Sequence, residues 1–419
     1  MKRNMFLVTV VVLAIILVSG LTVSGAPVVL KILMTSGCAP QYAAINPIFE
    51  AENPGVKIEM ATVGYMDRYQ KIVTTMPARP QDLDIVAFGN DEVAGFMTGG
   101  WLLDITDKVP KTTIDAMLPG AAEVLSYKGR LYGIPWSLAA KGFFYNFDMM
   151  AKAGFEDPPR TWPELIAQTQ TMQKMGLAKY GLTWGVKEGS WIEYIIFSGL
   201  YGLNEIIDVN GKALFDNAKG VQAMQYMYDL IYKYKVASPS SISSGDHEVM
   251  STFLSGQNPF LLNWPYVAGM MDDPKQSSVV GKSAIGLIPG LGGKRSFSYI
   301  GTMGIGCSSG SPNKDLAIKY ILWTARPEIH KKMILVSKEV PILKELVYDK
   351  DIQTASPSML TMSKQFAYSV NPPKFAWFVE DQQILTNYIG KVMSKAMPVK
   401  KAVHEMAAEI DKLAAKYAK

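Results

Sequence analysis

Short apolar runs alternate with longer amphipathic stretches along most of the chain. Apolar runs of about four to eight residues between turn residues are typical of buried strands, and apolar positions three or four apart are typical of helices. The predicted strands are Leu30 to Met34, Val56 to Val63, Asp84 to Phe88, Gly142 to Tyr145, Phe260 to Asn263, Ala284 to Ile288 and Met303 to Cys307. Strands that alternate with helices in this way predict an α/β architecture.

Capping residues and prolines mark the helix boundaries. Thr161 and Glu164 have the spacing of a capping box, and with Pro163 in the first turn they begin a helix that runs to about Met175. Another helix is predicted to begin at Pro312. The last two predicted helices are Glu380 to Met397 and Val399 to Tyr417, broken at Pro398.

The N-terminus has the pattern of a secretory signal. Lys2 and Arg3 precede an uncharged apolar run, and small residues follow that run up to Ala26. We therefore expect a signal peptide over residues 1–25, cleaved after Gly25, and a soluble protein secreted to the periplasmic or extracellular side. An uncleaved anchor helix is the alternative, because the run is barely long enough to span a bilayer.

Charge and length narrow the class of protein further. The formal net charge of the 419 residues is +5, and without Lys2 and Arg3 it falls to +3. Positive and negative residues are interspersed, so nucleic acid and anionic membranes are not expected as partners. A chain of this length normally divides into two domains.

The sequence offers little support for a metal, a cofactor or a disulfide framework. Asp246, His247 and Glu248 are adjacent in sequence and would point in different directions, so no metal site is expected. A single bridge between Cys38 and Cys307 stays open, but two small thiols are favoured over it. No cofactor is expected.

The chain has 8 tryptophans and 20 tyrosines, and several of its aromatic residues fall near turns. These residues are Trp136, Trp184, Trp191, Trp264, Tyr266, Tyr299 and Trp377. Carbohydrate receptors stack aromatic rings on the C–H faces of sugars and direct polar groups at the hydroxyls. Ordinary core packing is the alternative for any one of these rings.

The order of motifs resembles that of the extracellular solute-binding proteins of sugar ABC importers, family 1, which includes the maltose/maltodextrin and trehalose/maltose binding proteins. The matching segments are 49–59, 84–104, 127–135, 144–164, 253–264, 288–301 and 311–328. The most distinctive block contains Phe144 to Asn146, Ala153 to Phe155, and Thr161 to Glu164. The resemblance implies an α/β, two-lobed periplasmic binding protein-like fold of type II, with hinge strands and a ligand cleft between the lobes.

The same resemblance implies a domain organisation and a function. Lobe 1 would comprise residues 26–135 and 300–338, and lobe 2 residues 136–299 and 339–419. The protein would be a monomeric, non-enzymatic receptor that captures a neutral sugar or polyol and delivers it to the membrane permease subunits of an ABC importer. Two lobes on hinges can close around a polar ligand and exclude water.

The family's ligand contacts map onto a short set of positions. The predicted ligand-binding residues are Asp91, Trp264, Tyr266, Trp191, Trp377, Trp136, Ser36, Gln41 and Gly301. Asp91 would accept hydroxyls in lobe 1, and Trp264 would stack on the sugar in lobe 2. Residues 36–38 and Gly89 depart from the maltose-type pattern of charged residues and a stacking tryptophan. These departures argue against a long maltodextrin as the ligand.

Two other functions stay open at this point. Residues 306–310 fit a nucleophile-elbow pattern with Ser308 at its centre, and His330 and His404 could serve as bases of a secreted hydrolase acting on an ester or glycoside. A receptor of the same fold could instead bind a polyamine, an oligopeptide or glycerol phosphate. Phosphates would require arginines in the cleft, and polyamines several carboxylates.

Overall fold

The computed structural model describes residues 26–78, 82–187 and 189–418, and the predicted signal of residues 1–25 lies outside them. The strands are β1 (Val28–Thr35), β2 (Val56–Val63), β3 (Ile85–Gly89), β4 (Ser126–Tyr127), β5 (Arg130–Leu131), β6 (Ile134–Pro135), β7 (Gly142–Asn146), β8 (Phe260–Asn263), β9 (Ser283–Gly286), β10 (Ser298–Tyr299), β11 (Met303–Cys307) and β12 (Ser369–Val370). The helices are α1 (Ala39–Glu52), α2 (Tyr65–Thr75), α3 (Val93–Thr98), α4 (Lys111–Ala116), α5 (Phe147–Lys152), α6 (Trp162–Lys174), α7 (Ser190–Leu200), α8 (Ala218–Tyr232), α9 (Asp246–Leu254), α10 (Val267–Met271), α11 (Lys314–Trp323), α12 (Pro327–Ser337), α13 (Lys350–Ala355), α14 (Met359–Gln365), α15 (Phe378–Met393) and α16 (Val399–Tyr417).

The first sheet has the strand order β2-β1-β3-β11-β6. β1 pairs in parallel with β2 and β3, whereas β11 runs antiparallel to β3 and β6. The central strands are apolar because helices cover both faces of the sheet, and Leu30, Leu33 and Ile305 are fully buried. We call the unit built on this sheet lobe 1. Since β11 returns from the C-terminal half, two distant parts of the chain form this lobe.

The second sheet is antiparallel and has the order β8-β7-β9. Helices α7, α8, α15 and α16 pack together beside it, and we call this unit lobe 2. Every residue of α7 is buried, which explains why its sequence is apolar on all sides. Glu193 is a charged residue in the first turn of this helix, and it is buried as well.

Three segments of the chain run side by side between the two sheets, and we call them crossing segments 136–141, 299–302 and 338–340. The backbone amide of Leu138 donates to the carbonyl of Val340 at 2.9 Å. The amide of Gly301 donates to the carbonyl of Ala139 at 3.0 Å, and that of Lys141 to Tyr299 at 3.0 Å. The crossing segments therefore form a narrow hydrogen-bonded band that links the lobes.

The chain after the third crossing segment stays beside lobe 1 for another dozen or so residues. The amide of Leu118 donates to the carbonyl of Ile342 at 2.7 Å, and the amine of Lys344 donates to the carbonyl of Asp115 at 2.7 Å. Helix α13 packs on α12, whereas α14 packs on β9 of lobe 2. The domain boundaries at 135, 299 and 338 stay a prediction, and these contacts favour placing the third between α13 and α14.

Most predicted elements are present, and one helix end differs. The helix predicted from Glu380 to Met397 spans Phe378–Met393. It ends early because Lys395 adopts a left-handed conformation with φ of 62°, before Pro398 sets the start of α16. Cys38 and Cys307 are free thiols. No helix in the described ranges is both long and apolar enough to cross a bilayer.

Trp162 occupies the core of lobe 2. Its side chain is fully buried, its ring lies 4.7 Å from that of Phe197, and its amide donates to the carbonyl of Gly290. We expect Trp162→Ala to lower the free energy of unfolding by about 3 to 5 kcal/mol, because it leaves a large apolar cavity. Urea denaturation of the ligand-free protein measures this change. An unchanged unfolding curve would contradict the assignment of Trp162 to the core.

Candidate ligand site

The carboxyl end of β3 is the predicted lobe 1 wall of the ligand site. Residues 90–92 follow this strand, and all three are buried. Arg68 fixes their conformation by pairing with Glu92 at 2.6 Å and donating to the carbonyl of Ala87 at 2.7 Å. The second carboxylate oxygen of Glu92 accepts the amide of Gly89 at 2.8 Å. The charge of Glu92 is thus compensated inside lobe 1.

Asp91 connects this wall to lobe 2. Its Oδ2 accepts a hydrogen bond from Nε2 of Gln382 on α15 at 2.8 Å, and one from the hydroxyl of Tyr65 at 3.4 Å. Burial, followed by the nearby charge of Glu92, raises the pKa of Asp91 to about 6. At neutral pH the site therefore holds a desolvated carboxylate, which is a strong hydrogen-bond acceptor.

Gly89 makes room for this carboxylate. A Cβ atom at position 89 would lie 2.4 Å from Oδ1 of Asp91, so a larger residue would displace the aspartate. Glycine in place of the maltose-type tryptophan at position 89 therefore allows Asp91 to take up its observed position.

The lobe 2 wall is formed where β8 ends. Trp264 is half-buried, and its amide donates to Oδ1 of Asn263 at 2.8 Å. Its ring lies directly against Gly301 of the second crossing segment, because a Cβ atom there would be 2.1 Å from Cη2 of the tryptophan. The structure thus brings together Trp264 and Gly301, two of the predicted site residues.

Two of the predicted aromatic residues are more deeply buried. Trp191 packs edge-on against Tyr299 with ring centres 5.1 Å apart, and Trp136 packs edge-on against Tyr42 at 5.8 Å. Both tryptophans are at most 7% exposed. They lie beside or within the crossing segments and support the floor of the cleft, while their contact with ligand stays a prediction.

Other predicted residues lie on the first strand-to-helix turn of lobe 1 and across from it. Ser36 is exposed, and Gln41 is buried with an Nε2 that has no hydrogen-bond partner among the described residues. Tyr266 of lobe 2 is half-buried, and burial, followed by the nearby charge of Asp246, raises the pKa of its hydroxyl. Cys38 and Tyr266 pack against the same apolar cluster.

Trp377 lies at a separate edge of the interface between the lobes. Its ring stacks on Tyr417 with centres 4.7 Å apart and planes 4° from parallel. It lines an open groove of 530 Å³ together with Tyr127 and Lys128 of lobe 1. Trp377 is one turn before Gln382 on the chain, so the groove and the Asp91 contact are both formed with the start of α15.

Sequence reasoning missed several buried polar residues near Trp264 and α15. Lys141 and Glu193 form a buried ion pair of 2.5 Å, and Asp246 lies 4.0 Å from the same amine. Isolated charges inside the apolar runs 139–145 and 191–197 were the available signal. Gln382 carries no such signal, since polar residues are common on one face of a helix.

These features define a class of protein. Two α/β lobes joined by three crossing segments, with aromatic and polar walls between them, constitute the type II periplasmic binding protein fold. Residues 35–331 match the family of bacterial extracellular solute-binding proteins, and the chain belongs to that family.

Individual relatives agree with this assignment. The chain is 25% identical over 303 residues, 71% of either chain, to a Deinococcus radiodurans protein named "probable ABC transporter-binding protein". The maltose-bound MalE3 of T. maritima has a similar structure, with a TM-score of 0.84 and 23% identity over 92% of this chain and 100% of that one. A solute-binding protein of Agrobacterium radiobacter K84 in complex with ribitol has a TM-score of 0.81 and 20% identity, covering 92% and 98%.

The raised pKa of Asp91 makes a prediction for stability. Because the folded state disfavours the ionised carboxylate, Asp91 costs stability as the pH rises from about 4 to about 6. We expect Asp91→Asn to stabilise the ligand-free protein by about 1 to 3 kcal/mol at pH 7 and by little at pH 4. Urea denaturation at both pH values measures the difference.

The exposed Asp115, paired with Lys111, provides a matched control, and Asp115→Asn should show no comparable gain. A gain for Asp91→Asn that is equal at the two pH values would contradict the burial of an ionised carboxylate.

Proposed function

We propose that the protein is an extracytoplasmic receptor that captures a neutral sugar or polyol between its lobes and delivers it to an ABC importer. One observation carries this proposal: the half-buried ring of Trp264 lies on Gly301, and Asn90, the neighbour of Asp91, donates to the carbonyl of Ile300 in the same crossing segment. An aromatic face takes the C–H surface of a sugar, and a desolvated carboxylate takes its hydroxyls.

The related structures support this ligand class. One holds maltose and another holds ribitol, so the fold accommodates both a disaccharide and an acyclic polyol. Because Gly89 has no side chain, the carboxylate of Asp91 occupies the space beside it. This arrangement favours a small ligand that contacts Asp91 directly, rather than a long maltodextrin.

Lobe closure gives the receptor its signal. The crossing segments link the lobes, and the hydrogen bond of Gln382 to Asp91 is a further contact between them. A ligand that touches both walls stabilises the closed arrangement, and membrane permease subunits distinguish this shape from the open one. The receptor acts as a monomer outside the cytoplasmic membrane, either free or held by its N-terminal segment.

The arrangement of the hydrolase candidates favours a non-enzymatic receptor. Ser308 is fully buried in lobe 1, and its amide donates to the carbonyl of Asp84. Burial lowers the pKa of His330 to about 3, and its Nε2 accepts the amide of Ile342. His404 lies on α16 of lobe 2 and contacts Asp216. Each of these groups is engaged in local structure and none is presented to a substrate in the cleft.

A phosphate-bearing ligand is also disfavoured. The buried guanidinium of Arg68 is engaged by Glu92 and by the carbonyl of Ala87, so its charge is compensated inside lobe 1.

A thermal-shift screen tests the proposal. The probes are maltose, D-mannitol, ribitol and D-tagatose, with spermidine and glycerol 3-phosphate as non-sugar solutes. A sugar or polyol that binds the native state should raise the melting temperature and be recovered unchanged. A shift with the non-sugar solutes alone, or conversion of the probe to products, would contradict the proposal.

Trp264→Ala should weaken binding of the strongest probe by about 1 to 3 kcal/mol, or roughly ten- to two-hundredfold, through lost ring contact. Calorimetric titration measures this loss. Trp101 is a matched control, because it is also half-buried and covers a glycine, Gly99, but lies near Cys307 at the far end of the lobe 1 sheet. Equal losses for Trp264→Ala and Trp101→Ala would contradict a stacking role.

A further inference from the structure

Lys141 is a buried cation at the junction of the first crossing segment and β7. Its amide donates to the carbonyl of Tyr299 at 3.0 Å, and its carbonyl accepts the hydroxyl of Ser298 at 2.6 Å. The side chain is only 1% exposed. Burying an ammonium without partners costs free energy, so the groups around Lys141 must compensate its charge.

Two carboxylates of lobe 2 accompany this amine. Nζ of Lys141 lies 2.5 Å from Oε1 of Glu193 on α7, and 4.0 Å from Oδ1 of Asp246 at the start of α9. Burial alone would lower the pKa of Lys141, but the two carboxylates outweigh it and raise that pKa. The lysine is therefore an ammonium, and we call Lys141, Glu193 and Asp246 the lysine cluster.

The lysine cluster shares a wall with Trp264. Nζ of Lys141 lies 5.8 Å from the centre of the tryptophan ring. Asn263 connects the two features, since its Oδ1 accepts the amide of Trp264 and its Nδ2 donates to the backbone carbonyl of Asp246 at 3.3 Å. The ring of Trp264 and the lysine cluster are therefore neighbours within lobe 2.

The lysine cluster also has hydrogen-bonding capacity that the described residues do not use. The side chain of Glu193 is only 2% exposed, and its Oε2 has no hydrogen-bond partner among the described residues. The carboxylate of Asp246 is 31% exposed. An ammonium has three donors, and the described residues take one of them through Glu193 in a hydrogen bond.

We propose that the lysine cluster determines ligand specificity, recognising two adjacent hydroxyls of the ligand and excluding sugar acids. This inference rests on the proposed function. A hydroxyl both donates and accepts, so neighbouring hydroxyls satisfy the ammonium and the unpaired carboxylate oxygen together. The cluster carries one positive and two negative charges, and Asp91 adds a further negative charge in the opposite wall. An anionic ligand would meet this excess of negative charge and be repelled by it.

A purely structural ion pair makes a different prediction. If the lysine cluster only stabilises lobe 2, its variants lower the melting temperature and leave the preference between neutral and acidic ligands unchanged. The ratio of the two affinities is therefore the decisive readout.

The experiment uses the full mature chain and three neutral probes, each with its acid of the same carbon skeleton: maltose with maltobionate, D-mannitol with D-mannonate, and ribitol with D-ribonate. Calorimetry gives both affinities for the parent, Asp246→Asn and Glu193→Gln. Asp246→Asn is the principal variant because its partial exposure makes misfolding a small concern. Asp115→Asn in lobe 1 is the control for removal of a carboxylate.

We expect the parent to prefer the neutral member of the bound pair. Asp246→Asn and Glu193→Gln should each weaken neutral binding about ten- to a hundredfold, and Asp246→Asn should also narrow the neutral-to-acid ratio. Stronger binding of the acid by the parent would overturn the inference. Unchanged affinities and an unchanged neutral-to-acid ratio in both variants would also overturn the inference. In that case, weaker binding by Trp264→Ala would still support the proposed function. If no neutral probe binds, the inference is overturned together with that function.

Discussion

The band of hydrogen-bonded crossing segments is the constraint on which the rest of the structure depends. Backbone hydrogen bonds between Leu138 and Val340, and between Ala139 and Gly301, hold the three crossing segments side by side. The two sheets are therefore fixed relative to each other along one line while their opposite edges can move. Trp264 lies on Gly301 in this band, and Lys141 donates to Tyr299 within it, so the ligand wall of lobe 2 begins at the hinge itself.

Buried charge is the second organising feature of the cleft. Lobe 1 compensates Glu92 with Arg68 and leaves Asp91 as an acceptor, while lobe 2 compensates Glu193 with Lys141. Buried ion pairs seldom stabilise a protein more than well-packed apolar residues would, so their presence at the cleft points to recognition. Burial, followed by the charge of Glu92, raises the pKa of Asp91.

Much of the fold could be predicted because its signals are local. β2, β8 and β11 have their predicted bounds, and Thr161 caps α6 through the amide of Glu164 as expected. The type II fold was predicted through the order of motifs and is confirmed by the related structures. The early end of α15 could not be predicted, because it depends on the left-handed backbone of Lys395.

The site was only partly predictable. Asp91 and Trp264 follow strand ends, where ligands of open α/β sheets bind, so their position carries a signal. The lysine cluster joins residues more than fifty positions apart, which come together because α9 packs on β8 and α7 packs on β10. The ligand contact of Trp377 stays a prediction, and its ring stacks on Tyr417 in the groove that it lines with Tyr127 and Lys128.

The most direct test of the account is small-angle X-ray scattering of the protein with and without a saturating sugar or polyol whose binding calorimetry has established. Closure of two lobes about the crossing segments predicts a smaller radius of gyration in the complex and a changed scattering profile, and Trp264→Ala should need roughly ten- to two-hundredfold more ligand for the same change. Identical profiles for the free and saturated parent protein would contradict capture of the ligand by closure of the lobes.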